Sequence, residues 1–212
     1  MSKKSNRNQG KDTKERIIEI SKKLFAKKGF DATSVDEIAS RIKIPKSLIY
    51  YYFKSKKDIL KAIFKEFEDN LLEMKKRSFE LLFDEETEST VEERIKAIFY
   101  KITLPFVESY QDVIKIALTE EIKNFSKGPL FKYFDVNLSM GKDFLEKFNL
   151  SLNFSKEKVT ILFFKLFLSL VGYSIFIDEW CKHYNIEKEK VKNLLVETLV
   201  SEYKRLGMVD FN

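Results

Sequence analysis

The chain has 212 residues, 44% of them hydrophobic and 34% charged, with a formal net charge of +6. That balance describes an ordinary folded protein and excludes a disordered one; a lone cysteine, Cys181, excludes an internal disulfide framework, and a lone histidine, His183, excludes a His/Cys metal cluster. Six glycines and three prolines leave few breaks, which with abundant Lys, Glu, Leu and Ile predicts an all-α fold.

The charge is unevenly spread. Residues 1–57 hold 16 Lys+Arg against 6 Asp+Glu, whereas residues 58–212 hold 23 against 27. A basic first quarter on a mildly acidic remainder points to a polyanionic partner for the first part only. Charge alone fits a solvated, lysine-rich face equally well. The N-terminal MSKKSNRNQGKDTK lacks the apolar run of a signal peptide, so the expected compartment is the cytoplasm.

In chain order, residues 1–11 show no periodicity and read as a flexible basic arm. Asp12 and Glu15 have capping-box spacing, and Ile17, Ile20 and Leu24 give the helix that follows its apolar stripe. Gly29 ends that helix. Ser34 with Glu37 opens a second, short helix carrying Val35, Ile38, Ala39 and Ile42. A turn at 42–44 leads to Pro45, which suits the first turn of a third helix. Ser55 with Asp58 opens a fourth, expected to reach about Lys76. Two short helices joined by a three-residue turn form a helix-turn-helix, in a domain spanning 12–57.

The second helix of that motif contains PKSLIYYYF (45–53). On a 100° wheel Lys46, Ser47, Tyr50 and Tyr51 share one side, while Pro45, Leu48, Ile49 and Tyr52 face the other. An ammonium, a hydroxyl and two phenols suit phosphates and base edges. Lys56, in the first turn of the next helix, adds its charge to the positive dipole end there.

Residues 58–212 carry no motif that identifies a ligand. Pattern predicts helices near 91–110, 111–123, 130–148, 156–182 and 187–206, with Pro105 expected to kink or end the first of these. The apolar stretch VTILFFKLFLSLVGYSIFIDEW (159–180) is interrupted by Lys165. A bilayer span needs about 20 predominantly apolar residues, so the better reading is a helix buried on all sides. One of its stripes, Phe164, Leu168, Val171 and Ile175, exceeds what one subunit covers. With Leu195 and Leu199 of the last helix it is the expected dimer interface. Among the twenty phenylalanines, Phe99, Phe106, Phe125, Phe134 and Phe163 are candidates to line a cavity for a small hydrophobic or aromatic effector. Lys101, Lys115, Lys165 and Glu108 are the candidate charges on that wall.

Catalysis needs positioned acid–base or nucleophilic groups. Cys181 and His183, two apart on a helix, point to nearly opposite sides, and no glycine-rich phosphate loop, carboxylate pair or metal spacing occurs. The chain is therefore read as a non-enzyme without a cofactor. The competing reading is a lipid-binding or membrane-surface protein that uses the basic arm and apolar helices.

The run TKERIIEISKKLFAKKGFDATSVDEIASRIKIPKSLIYYYFKSKKDIL resembles the N-terminal domain of TetR-type transcriptional repressors over about residues 13–60. The resemblance implies a helical homodimer that binds a double-stranded, pseudo-palindromic DNA operator through its N-terminal domain. The larger domain, 58–212, would then bind the effector and dimerise. Carried over by position, Lys46 and Ser47 resemble base-edge readers, and Thr33, Tyr50, Tyr51 and Lys56 resemble phosphate contacts. Three positions depart from the family pattern: Lys43 stands where glycine is usual, Pro45 where serine is, and Leu48 where threonine is common.

Overall fold

Three helices and the start of a fourth build the N-terminal unit of the computed structural model, which describes residues 2–84, 88–124, 128–147 and 155–207. Helix α1 (Ser2–Lys28) ends where Gly29 takes φ 88°, its N–H returning to the Phe25 carbonyl at 2.9 Å. The helix begins at Ser2 rather than near Asp12, so the segment read as an arm forms its first turns. No proline interrupts residues 2–12, and Gly10 weakens a helix by only about 1 kcal/mol.

Helix α2 (Val35–Ile42) is capped by Ser34, whose Oγ accepts the Glu37 N–H at 3.1 Å. Lys43 then turns left-handed, φ 62° and ψ 47°, so that the Lys43 and Ile44 N–H groups close on the Ser40 and Ala39 carbonyls. A non-glycine residue pays about 1–2 kcal/mol for that conformation; two recovered backbone hydrogen bonds and the buried Ile42 beside it offset the cost. Helix α3 (Lys46–Tyr52) starts after Pro45, and α4 (Lys56–Leu82) starts with the Ser55–Asp58 box, in which Ser55 Oγ accepts the Asp58 N–H and donates to Asp58 Oδ2 at 2.7 Å. Ile17, Phe25, Ile38, Ile49 and Ile59 lie at the centre of this unit, each at most 2% exposed. Arg16 donates to the Ile42 carbonyl at 3.2 Å and ties α1 to the turn.

Helix α4 runs six residues past the expected end and becomes the spine of the larger domain. Its buried row Ile59, Ile63, Phe67, Leu71, Met74 and Ser78 follows the three-to-four spacing of one helix face. Next, α5 (Val91–Ile98), one π-helical turn (Phe99–Thr103) and α6 (Leu104–Ser109) form a continuous rod. Pro105 therefore does not break it. In the wide turn the Leu104 N–H reaches back five residues to Phe99, and this accommodates a proline that has no N–H to give. The break comes later, at Tyr110, before α7 (Gln111–Lys123).

Helix α8 (Pro129–Lys147) begins against the buried Glu121, whose Oε2 accepts the Leu130 N–H at 2.9 Å. The segment 156–184 is again continuous: α9 (Lys156–Ile161), a second π-helical turn (Leu162–Phe167) and α10 (Leu168–Tyr184). It is long and apolar enough to cross a membrane by length and composition alone. One side of it, Leu162, Leu166, Val171, Tyr173 and Ile177, is buried in the protein core. Asn185 at φ 50° ends α10, and α11 (Lys188–Leu206) closes the fold. Tyr173 donates to Glu108 at 2.6 Å, and Lys188 and Lys192 approach the same carboxylate at 3.3 and 3.5 Å, joining α6, α10 and α11. The described residues are helical, with no strand among them.

Candidate nucleic-acid interface and effector cavity

Burial of Ile49 and Phe53 fixes which way α3 faces. With those two side chains 1% and 6% exposed, Tyr50 and Tyr51 are left 46% and 79% exposed, beside exposed Lys46 and Ser47. Leu48 and Tyr52 are half-buried, Tyr52 packing on the core and meeting the Tyr51 ring edge-on at 5.0 Å between centroids. Pro45, assigned by the wheel to the inner side, is exposed, because it stands outside the helix as its N-cap. Lys46 Nζ binds Asp36 Oδ2 at 2.6 Å, and that hydrogen bond raises the Lys46 pKa. The cation is thus fully charged and held across the two helices of the motif, at a carboxylate that a phosphate or base edge can replace.

Two other expected contacts are placed elsewhere. Thr33 is 1% exposed and its hydroxyl donates to the Gly29 carbonyl at 2.9 Å, so it braces the α1–α2 loop instead of facing solvent. Lys56 donates to the carbonyls of Phe30, Asp31 and Thr33 at 2.7, 3.2 and 2.7 Å, and its Nζ stands 4.3 Å from the centre of the Phe30 ring. An ammonium has three N–H groups. All three are occupied, so Lys56 pins the loop to the start of α4 and has no donor left for a phosphate. Lys54 and Lys57, its neighbours, are exposed.

That loop has a second anchor. Lys123, in the last turn of α7, binds Asp31 Oδ2 at 2.8 Å and Glu120 Oε1 at 3.1 Å. The loop ahead of α2 is therefore held from α4 on one side and from the larger domain on the other.

The larger domain encloses a cavity of about 210 Å³ between α4, α5, α8, the two π-helical turns, α10 and α11. Of the candidate lining residues, Phe99 and Phe134 are on its wall. Phe163 lies outside the wall, edge-on to one of its members, Phe134, at 5.0 Å and stacked on another, Phe167, at 5.8 Å. Phe106 belongs to another cluster, with Phe67 and Tyr110 at 5.6 and 4.7 Å. Phe125 lies outside the described residues. Both π-helical turns contribute wall residues: Phe99 and Thr103 from the first, Leu162, Leu166 and Phe167 from the second. A π turn widens the helix and commonly marks a functional site.

None of the four candidate charges reaches the wall. Lys165 binds Glu202 at 2.8 Å, Glu108 is in the Tyr173 network, and Lys101 and Lys115 are exposed. Lys75 is the charged side chain on the wall instead. Its signal was its spacing: it follows buried Leu71 by one turn and precedes Phe79 by another.

The outward row of the last helices also differs from the expected one. Val171 and Leu199 are buried inside the subunit, and Leu168, Ile175 and Leu195 are half-buried. The outward row runs by fours through Phe164, Leu168, Gly172, Phe176 and Trp180, of which Phe164, Phe176 and Trp180 are exposed, with exposed Leu194 on α11. The π turn explains the change. It inserts an extra residue into one turn, so a face read across 161–164 is not continued at 171–175.

Comparison with known proteins matches residues 17–63 to the family described as bacterial regulatory proteins, tetR family. Over that segment the chain is similar to the TetR family. It is 29% identical over 185 residues to the HTH-type transcriptional regulator YerO of Bacillus subtilis, a match covering 70% of this chain and 61% of that one. It is 46% identical over 46 residues to the biofilm operon icaADBC HTH-type negative transcriptional regulator IcaR of Staphylococcus aureus, covering 22% and 25%. The chain thus spans under two thirds of the length of either relative. The crystal structure of a TerR/AcrR-family transcriptional regulator from Aquifex aeolicus superposes with a TM-score of 0.54 at 26% identity, over 92% of this chain and 99% of that one. That TetR-family likeness extends through the larger domain, well past the helix-turn-helix.

Proposed function

We propose that this chain is a cytoplasmic TetR-family transcriptional repressor, a homodimer that leaves a pseudo-palindromic operator when a small hydrophobic effector enters the larger domain. The observation that carries the reading is the α3 surface, where Lys46, Ser47, Tyr50 and Tyr51 stand together in solvent on a helix anchored by Ile49 and Phe53. Lys46 and Ser47 read base edges, and the phenols and Lys54 or Lys57 contact phosphates. The named role of IcaR as a negative regulator supports repression. On this reading the chain is a binding protein, not an enzyme.

A second copy covers the Phe164–Phe176–Trp180 face together with Leu194, giving a four-helix seam from α10 and α11 of each subunit. It sets two α3 helices about one duplex turn apart, 34–36 Å. Helix α4 joins the two activities, since its first residue holds the loop ahead of α2 and its body lines the cavity. A ligand that favours another α4 position weakens operator binding, and operator weakens ligand binding by the same factor.

The test is selection of bound fragments from a pool of the organism's genomic DNA. A pseudo-palindromic sequence bound with steep salt dependence is expected, with a changed base preference in Lys46→Ala. Recovery of no preferred sequence overturns the reading.

A further inference from the structure

The cavity wall is mostly carbon, and it carries one cation. Lys75 is the only charged side chain among the described wall residues, and no described residue gives it a carboxylate or a hydrogen-bond acceptor. This sets it apart from Lys56, which has three carbonyls, and from Lys123 and Lys165, which have carboxylates. The residue is half-buried on that wall, and desolvation of its ammonium lowers its pKa to about 8. It remains mostly protonated at neutral pH. An unpaired cation on an apolar wall is a cost to the folded protein that an incoming anion removes.

The remaining polar groups narrow the ligand. Ser78 spends its hydroxyl proton on the Met74 carbonyl at 3.0 Å, and Asn137 donates to the Tyr133 carbonyl at 2.8 Å, keeping one amide hydrogen. With the hydroxyls of Thr103 and Tyr203, these groups provide for one anionic head and little more. A carboxylate is the smallest anionic head for that cation and leaves most of the cavity to carbon. An apolar cavity of about 150 Å³ admits benzene, so 210 Å³ accepts roughly ten non-hydrogen atoms.

From this geometry we infer that the effector is an apolar monocarboxylate, with its chain or ring among Phe99, Phe134, Leu166 and Phe167 and its head on Lys75. The inference rests on the effector-site reading above and names the chemistry of that site. It also places the ligand's charge on α4, the helix that holds the loop ahead of the DNA-reading motif.

The test is calorimetric titration of the full chain at pH 7 with octanoate, octanol and octylamine. Octanoate is expected to bind at least about tenfold more tightly than octanol, with octylamine the weakest. In Lys75→Met, octanoate should lose at least about tenfold while octanol binds as well as before or better. Equal affinity for octanoate and octanol in the wild type, undiminished octanoate affinity in Lys75→Met, or no binding of octanoate at millimolar concentration would each overturn the inference. DNA selection by the same preparation separates the two proposals. Fragments selected without octanoate discrimination remove this inference alone, whereas octanoate discrimination without selected fragments removes the operator reading and leaves the Lys75 site standing.

Discussion

Lys46 and Lys75 both face a prospective anion, but their surroundings give them opposite physics. Lys46 stands in solvent and is paired with Asp36 at 2.6 Å, so exchanging that carboxylate for a phosphate or base edge costs little in either direction. Lys75 is desolvated and unpaired, so the folded protein carries an unfavourable charge until a counter-ion arrives. On the proposed reading, the exposed, exchangeable cation serves a polyanion that must be released, and the buried, unpaired one a small ligand that must be sensed. One further difference follows from assembly. On the proposed reading the α3 surface works in two copies, while the cavity is lined by one subunit.

That last contrast gives the largest expected effect. Phe176→Asp combined with Trp180→Asp puts two charges on the exposed face of α10 and should yield monomers in sedimentation, with DNA affinity reduced by at least about a hundredfold. Octanoate binding should survive. Loss of both activities together would erase the distinction.

Next comes pH. Tyr203 is the other titratable side chain on the described wall, neutral because burial raises its pKa, and α5, α8, the π-helical turns and α10 present no charge there. Between pH 7 and 9.5 Lys75 loses its proton, so octanoate affinity should fall about tenfold or more while octanol affinity holds. A flat octanoate profile would place the carboxylate elsewhere.

The same shift sets a stability expectation. The folded pKa of Lys75, about 8, lies below its ordinary value of 10.5, so the unfolded chain binds more protons between those limits and stability rises with pH across them. At pH 7 Lys75→Met should stabilise the ligand-free protein by on the order of 1–3 kcal/mol in denaturant titrations. The gain should shrink above pH 8 and disappear beyond 10.5.

The smallest effects concern the DNA side. Asp36→Asn removes the carboxylate competing for Lys46 and should tighten DNA binding several-fold. Lys56→Met should weaken all DNA sequences without changing the salt slope, because its ammonium holds backbone carbonyls; a phosphate contact would lower the slope by about 1.

Local signals made the motif legible in the sequence. Ser34, Lys43 and Ser55 mark the boundaries of α2 and α4 through bonds to residues within four positions, and Ile49 sets the α3 face through helical spacing. The long helices of the larger domain were legible for the same reason. The exact face of the 156–184 segment was not, since a π turn shifts phase without any glycine or proline to announce it. Thr33 and Lys56 were misplaced because their partners are backbone carbonyls, which every sequence contains. The cavity depends on helices far apart in the chain, so Phe106 and Phe134, equivalent as letters, lie in different clusters.

The central claim is that α10 and α11 hold two copies of the α3 surface at a fixed separation. Hydroxyl-radical footprinting of a selected fragment measures this directly. Two protected patches centred about one helical turn apart, both lost in the Phe176→Asp, Trp180→Asp variant, are the predicted result. A single patch that persists at equal protein concentration in that variant would contradict it.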